Sequence, residues 1–230
     1  GQSFKDWELI IVVAQKSVST MDIAKDLQMR DSRIKPIWQI SKGIYPAMNE
    51  GIAQAIGDLI WFMNAGDRFA SEKVLIHAVE NFSKSTSGVL IGGYKILDER
   101  KAQAYVYPEE KVTSFSFGFN RRGGCHQAMI FKTQLIKDIG GFNTTYLLAS
   151  DFDLVLRVIQ KTGARRVAEV YAEIEPGGIA DQNINVVHKE KHEIRRLLIG
   201  GPLVFTTSLL WTVLARAKIT ARRLGFLLAK

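Results

Sequence analysis

The chain has 230 residues, with 47% hydrophobic and 23% charged residues, so it encodes one large globular domain or a domain with an appendage rather than a disordered chain. Its single cysteine, Cys125, excludes an internal disulfide and points to a reducing compartment, with a packed thiol favoured over a reactive one. The net charge is +8, but from His188 onward there are nine Lys and Arg against two Glu, so the body is nearly neutral and a basic nucleic-acid-binding face is disfavoured.

In chain order, Glu8 to Val13 is a β-branched apolar run that reads as a buried strand. A mixed helical segment over 19–28 and a weaker strand over 34–40 follow. Ile44, Met48, Ile52, Ala55 and Ile56 recur at helical spacing within Gly43 to Asp58, with Pro46 in the first turn and Gly57 past the end. Leu59 to Met63 is a short strand, and Asn64 to Asp67 is the turn after it. A helix is expected over 71–82. Strands are expected over 89–97 and 102–107, around a charged turn at 98–101. Residues 108–124 read as an irregular loop. His126 to Phe131 reads as a strand, followed by a short helix from Thr133 to Gly140. A helix over 151–161, a strand over 167–174 and helix from Asn183 onward complete the pattern. Alternating strands and helices predict an α/β fold with a mostly parallel sheet.

Ligands of open α/β sheets bind at the carboxyl ends of strands. Asp67 follows the strand Leu59 to Met63, where a carboxylate suits a hard divalent cation or, equally, a turn that bonds its own backbone. Asp151 and Asp153 open a helix. There Asp151 reads either as a carboxylate complementing the helix dipole or as a general base. His126 alone is more ordinary as a structural residue.

The motifs gain meaning together. GQSFKDWELIIV, KGIYPAMNEGIAQAIGDLIWFMNAGDRF, HQAMIFKTQLIKDIGGFNTTYLLASDFDLVLRV and PGGIA occur in the same order as matching blocks of family 2 glycosyltransferases. The resemblance runs from Gly1 to Ile179 and is closest to the subset that builds colanic acid and other surface polysaccharides. It implies a GT-A domain over 1–180 that lacks the family's first strand, with a helical, basic tail over 181–230. It also implies an inverting hexosyltransferase acting on a nucleotide-diphospho-sugar donor and a saccharide or lipid-linked acceptor. By the same resemblance Asp67 binds Mg2+ or Mn2+ and Asp151 is the catalytic base. Ser41, Gly43, Asn49, Asn64, Gly66, His126 and Gln127 fall at substrate-binding positions.

The chain departs from the pattern at three donor-side positions. Val13 and Ser41 each stand where the family usually has Asp, and Pro46 replaces the Asp after Tyr45. Two readings follow: an active transferase, and a catalytically impaired relative acting as a membrane-associated binding module. In the tail, the uncharged stretch 197–215 precedes Arg216, Lys218, Arg222 and Arg223. It reads as an interfacial helix that would seat the protein at the cytoplasmic face of a membrane.

Overall fold

The computed structural model describes residues 2–97, 103–119 and 124–200. The N-terminal unit is β1 (Leu9–Val13), α1 (Val18–Arg30) and β2 (Ile34–Trp38). Helix α2 (Ile44–Gln54) leads to β3 (Leu59–Trp61), the two-residue β4 (Arg68–Phe69) and α3 (Val74–Ser83). Then come β5 (Val89–Ile96), β6 (Gln103–Tyr105), β7 (Glu110–Val112) and α4 (Ser114–Phe119). A 3-10 turn, His126–Ala128, runs into β8 (Met129–Lys132) and α5 (Thr133–Asp138). Helix α6 (Ser150–Thr162), β9 (Ala164–Ile174), α7 (Ile179–Gln182) and α8 (Ile184–Leu198) close the described chain.

The expectation of a mostly parallel sheet is corrected. The sheet is mixed: β1/β2 and β5/β9 pair in parallel, whereas β3/β8, β5/β8, β5/β6, β4/β9 and β7/β9 are antiparallel. A parallel return needs a crossover of about a dozen residues or more, usually a helix. Here β6 pairs antiparallel with β5 instead, and β8 enters between β3 and β5 antiparallel to both. The segment 108–124, read as an irregular loop, contains β7 and α4.

The main sheet runs β3-β8-β5-β9-β4, and its central strands are dry. Val89, Leu90 and Ile91 of β5 and Phe131 of β8 are fully or almost fully buried. Helix α6 packs here through Leu154, Val155, Leu156 and Val158, which point to more than one side, so the helix is buried over most of its circumference. Helix α8, expected in the tail, packs against α6 and buries Val187 and Ile194.

The N-terminal unit is built differently. Strand β1 is hydrogen-bonded to β2 alone, and β3 to β8 alone, so the described strands form two sheets. The unit's own core is Val13, Met21 and Ala24, with Ile11 against them. Besides packing of β1 on α2, polar contacts tie it to the rest. Glu8 accepts the N–H groups of Ile56 and Gly57 at 2.8 and 3.1 Å and pairs with Lys35 at 2.7 Å. Among the described residues no helix is long and apolar enough to cross a membrane. The expected interfacial stretch falls on 201–230, outside the described residues apart from its start.

Candidate active site

Asp151 lies in the first turn of α6, and the loop before it is fixed from another helix. The buried Glu190 of α8 accepts the backbone N–H groups of Leu147, Leu148 and Ala149 at 2.8, 2.9 and 2.9 Å. One carboxylate thus satisfies three donors just ahead of α6. Asp151 Oδ1 accepts the Phe152 N–H at 2.8 Å and the Tyr45 hydroxyl at 3.4 Å, and Oδ2 lies 3.2 Å from His126 Nδ1. Burial pushes the Asp151 carboxyl up. The His126 bond and charge, the Lys191 charge and the Phe152 N–H outweigh it, and the group is held below its ordinary value.

Asp67 sits in the turn between β3 and β4. Its N–H bonds the Asn64 carbonyl at 3.1 Å, its Oδ1 accepts the Glu175 N–H at 3.2 Å, and its Oδ2 accepts Gln127 Nε2 at 2.8 Å. His126 and Gln127 are adjacent in the 3-10 turn, so one dipeptide holds both carboxylates. The result is a path from Asp67 through the Gln127–His126 dipeptide to Asp151 and Tyr45, with a hydrogen bond at each link outside the dipeptide. It brings together residues 106 positions apart in sequence.

Cys125 donates its S–H to Gln127 Oε1. Burial, with the charges of Asp151 and Asp67 adding to it, pushes the thiol up to about 12, so it is a packed thiol and not a nucleophile.

Gly66 adopts φ +95, and a Cβ there would lie 2.9 Å from Glu175 Oε2. The missing side chain therefore makes room for the Glu175 carboxylate next to Asp67. One or two carboxylates completed by ligand phosphates suit Mg2+ or Mn2+. The oxygens of Asp67 and Glu175 fit that description, although no group of three or more His, Cys, Asp or Glu side chains clusters among the described residues.

The other expected positions divide. Gly43 caps α2 with φ +114, and its carbonyl accepts Gln39 Nε2 at 2.8 Å. Ser41 is exposed and gives its N–H to Glu50 at 2.8 Å. Asn49 is engaged elsewhere: its amide clasps the Phe142 backbone through bonds of 2.9 and 2.8 Å. Tyr45, Glu175, Glu190 and Lys191 were not singled out from sequence. Tyr45 stands inside the GIYPAMN block and was findable there. The three others carry no local motif.

The family model for glycosyl transferase family 2 matches residues 1–147. This chain belongs to glycosyl transferase family 2. The matched residues contain Asp67, His126 and Gln127, whereas Asp151 and α8 lie beyond them. An uncharacterized glycosyltransferase of Mycobacterium tuberculosis is 33% identical over 115 residues, covering 50% of this chain and 44% of that protein. A glycosyltransferase of Mycobacterium bovis named for PGL/p-HBAD biosynthesis is 25% identical over 165 residues, covering 68% and 59%. The chain thus spans about half the length of these relatives.

Among solved structures, Staphylococcus aureus TarS (residues 1–349) in complex with UDP superposes with a TM-score of 0.67 at 16% identity, over 90% of this chain and 63% of that one. A Pyrobaculum calidifontis mannosyltransferase with GDP-Man and Mn2+ gives 0.60 at 14%, over 99% and 73%. The family 2 domain here has the GT-A fold.

Proposed function

We propose that this chain is an inverting glycosyltransferase that moves a hexosyl unit from a nucleotide-diphospho-sugar to a saccharide hydroxyl in the synthesis of a surface glycan or glycolipid. The observation that carries this reading is that one dipeptide, His126–Gln127, bonds Asp151 with one side chain and Asp67 with the other. It sets a donor-side carboxylate and a basic carboxylate at one locus, as direct displacement requires. The acceptor oxygen forms a bond to the anomeric carbon while the bond to the nucleoside diphosphate breaks. The electron pair leaves on the β-phosphate, and the hydroxyl proton passes to Asp151.

His126 and Tyr45 orient the Asp151 carboxylate, and their contacts favour its ionised form. Asp67, with Glu175 beside it, would hold Mg2+ or Mn2+, which neutralises charge on the leaving diphosphate when bound. Neighbours of this fold bind UDP or GDP-Man with Mn2+, which supports a nucleotide-sugar donor. The relative named for PGL/p-HBAD biosynthesis supports a glycosyl transfer role, and the basic chain end supports an acceptor at the cytoplasmic membrane face.

A second reading, a binding module with impaired donor use, is favoured by one feature. Val13, at a position where the family usually has Asp, is buried at 2% exposure in the N-terminal core and offers nothing to a base. A hydrolysis screen of nucleotide sugars with added Mn2+ separates the two. Turnover lost on Asp67→Asn supports the transferase, and binding without turnover across all donors supports the module.

A further inference from the structure

A chamber of about 230 Å³ opens beside Asp151, between α6 and α8. That is below the 300–1,000 Å³ typical of pockets that enclose a drug-sized ligand, so it suits one sugar ring or headgroup. Its lining includes His126 and Asp151, but not Asp67 or Gln127. The chamber therefore adjoins the base and not the candidate metal carboxylate. One side is apolar, through Phe117, Val155 and Val187.

Helix α8 also brings basic groups into the lining. His188, Lys191 and Arg195 recur on one face of α8, and Asp151 is the one carboxylate in the lining. Arg195 is committed to the fold: its Nε donates to the Gly118 carbonyl at 2.6 Å and its guanidinium lies over Phe152. Lys191 is different. Its ammonium sits 5.1 Å above the Phe152 ring and, among the described residues, pairs with no carboxylate within ion-pair distance. Burial pushes its pKa down, against the pull of the Asp151 charge. Asp151 already has Tyr45, His126 and the Phe152 N–H as partners. A partly buried cation without a bonded counter-charge is costly until an anion enters.

We propose that this chamber is the acceptor site, and that Lys191 receives a phosphate ester carried by the acceptor so that a neighbouring sugar hydroxyl meets Asp151. The proposal rests on the transferase reading. It goes beyond that reading by naming the acceptor's chemical class and the residue that recognises it. A compact ammonium is a point-charge partner for phosphate, and the apolar side covers the uncharged part of the ligand. Helix α8 lies past the residues that the family model matches, so the family match does not cover this recognition.

The test is titration calorimetry on the intact chain with farnesyl phosphate, glucose 1-phosphate and farnesol, and separately with UDP and GDP in Mn2+. At least one phosphate probe should bind and farnesol should bind far more weakly. Lys191→Gln should weaken the phosphate probe about tenfold or more, the scale of a lost bond to a charged group. Lys191→Arg should keep most of the affinity, which separates recognition from misfolding. Farnesyl phosphate binding tighter than glucose 1-phosphate assigns the phosphate to a lipid. The reverse assigns it to a soluble or polymeric saccharide.

Nucleoside diphosphate affinity should be unmoved by Lys191→Gln and lowered by Asp67→Asn. If Lys191→Gln weakens UDP or GDP as much as the phosphate probes, the cation serves the donor and the proposal is overturned. It is equally overturned if no phosphate probe binds while Asp67-dependent nucleotide binding persists, an outcome that leaves the transferase reading standing. Loss of nucleotide binding and donor turnover in the parent chain removes both.

Discussion

The two halves of this molecule are held together by different physics. The main sheet with α6 is a close-packed interior: Leu156, Val158 and Ile136 are completely buried, and β5 is buried through its first five residues. The β1–α1–β2 unit has four buried apolar side chains, Val13, Met21, Ala24 and Ile34, and leaves Leu9, Val18, Ile23 and Met29 exposed. Asp67, His126 and Gln127 lie in turns of the main sheet, and Asp151 lies at the start of α6, which packs on it. Of the departures from the family pattern, Val13 lies in the thin unit and Ser41 just after it, whereas Pro46 lies in α2, which contributes Tyr45 and Ile52 to the main core. On the proposed reading, the chemistry that needs fixed geometry sits on the close-packed half, and Val13 and Ser41 sit on or beside the half expected to open more easily.

The largest expected effect is on the rigid half's chemistry. Asp151→Asn should lower transfer by about 10²–10⁴-fold, the usual contribution of a general base, while nucleotide affinity stays near the parent value. Comparable loss of transfer and of nucleotide binding would mean that the two functions are not divided along the chain in this way. Next is packing. Leu156→Ala should cost about 2–5 kcal/mol of global stability, read by denaturant unfolding. Val13→Ala removes two carbons and should cost about 1.5 kcal/mol. It should be seen chiefly as faster amide exchange in residues 9–38 rather than as a lower global midpoint. Equal global effects would erase the distinction between the halves.

How much of this was legible in the sequence follows the same division. Element types were readable where periodicity is local, as in β1, α2 and α6. The four ordered blocks named the GT-A fold without reference to pairing. Strand direction was not readable, because it depends on how β8 enters between β3 and β5, which no local pattern encodes. In the site, Asp67, His126, Gln127 and Asp151 stood in motifs, and the structure joins them. Asn49 stood in one too, yet its amide is consumed by the Phe142 backbone. Glu190 and Lys191 had no motif. Read as sequence, they were part of a basic tail; the fold turns Glu190 into a clamp on 147–149 and Lys191 toward Asp151.

A smaller effect should come from the seam between the halves. Burial raises the Glu8 carboxyl, but Lys35 and the N–H groups of Ile56 and Gly57 outweigh it and hold it ionised. Glu8→Ala removes the acceptor for both amides and should cost about 1–2 kcal/mol. Exchange should quicken at Ile56 and Gly57 and across β1 and β2, while β5 and β9 stay protected. Loss of protection in β5 would show that the two sheets unfold as one.

The smallest effect should come from Asp31 and Arg33, at the turn between α1 and β2. Arg33 donates to Asp31 through Nε at 2.9 Å and Nη2 at 2.6 Å, and its guanidinium lies 3.8 Å above the Trp7 ring. The Arg33 side-chain bonds, then its backbone N–H, hold the Asp31 carboxyl down at about 2 from 3.8. The sign is that of a depressed acid. Its contribution is complete above about pH 4, where the unfolded group is also ionised, and is lost as pH falls toward about 2. The pair faces solvent, so screening keeps even the full contribution small. Asp31→Asn should therefore change amide exchange in β1 and β2 by less than about threefold at pH 7, and by less still in 0.5 M salt. The parent's protection there should hold steady between pH 7 and pH 5, because Asp31 stays ionised in both the folded and unfolded chain over that range. An Asn variant that opens the unit as far as Glu8→Ala does would mean that this turn, and not the Glu8 seam, governs how the thin half is held.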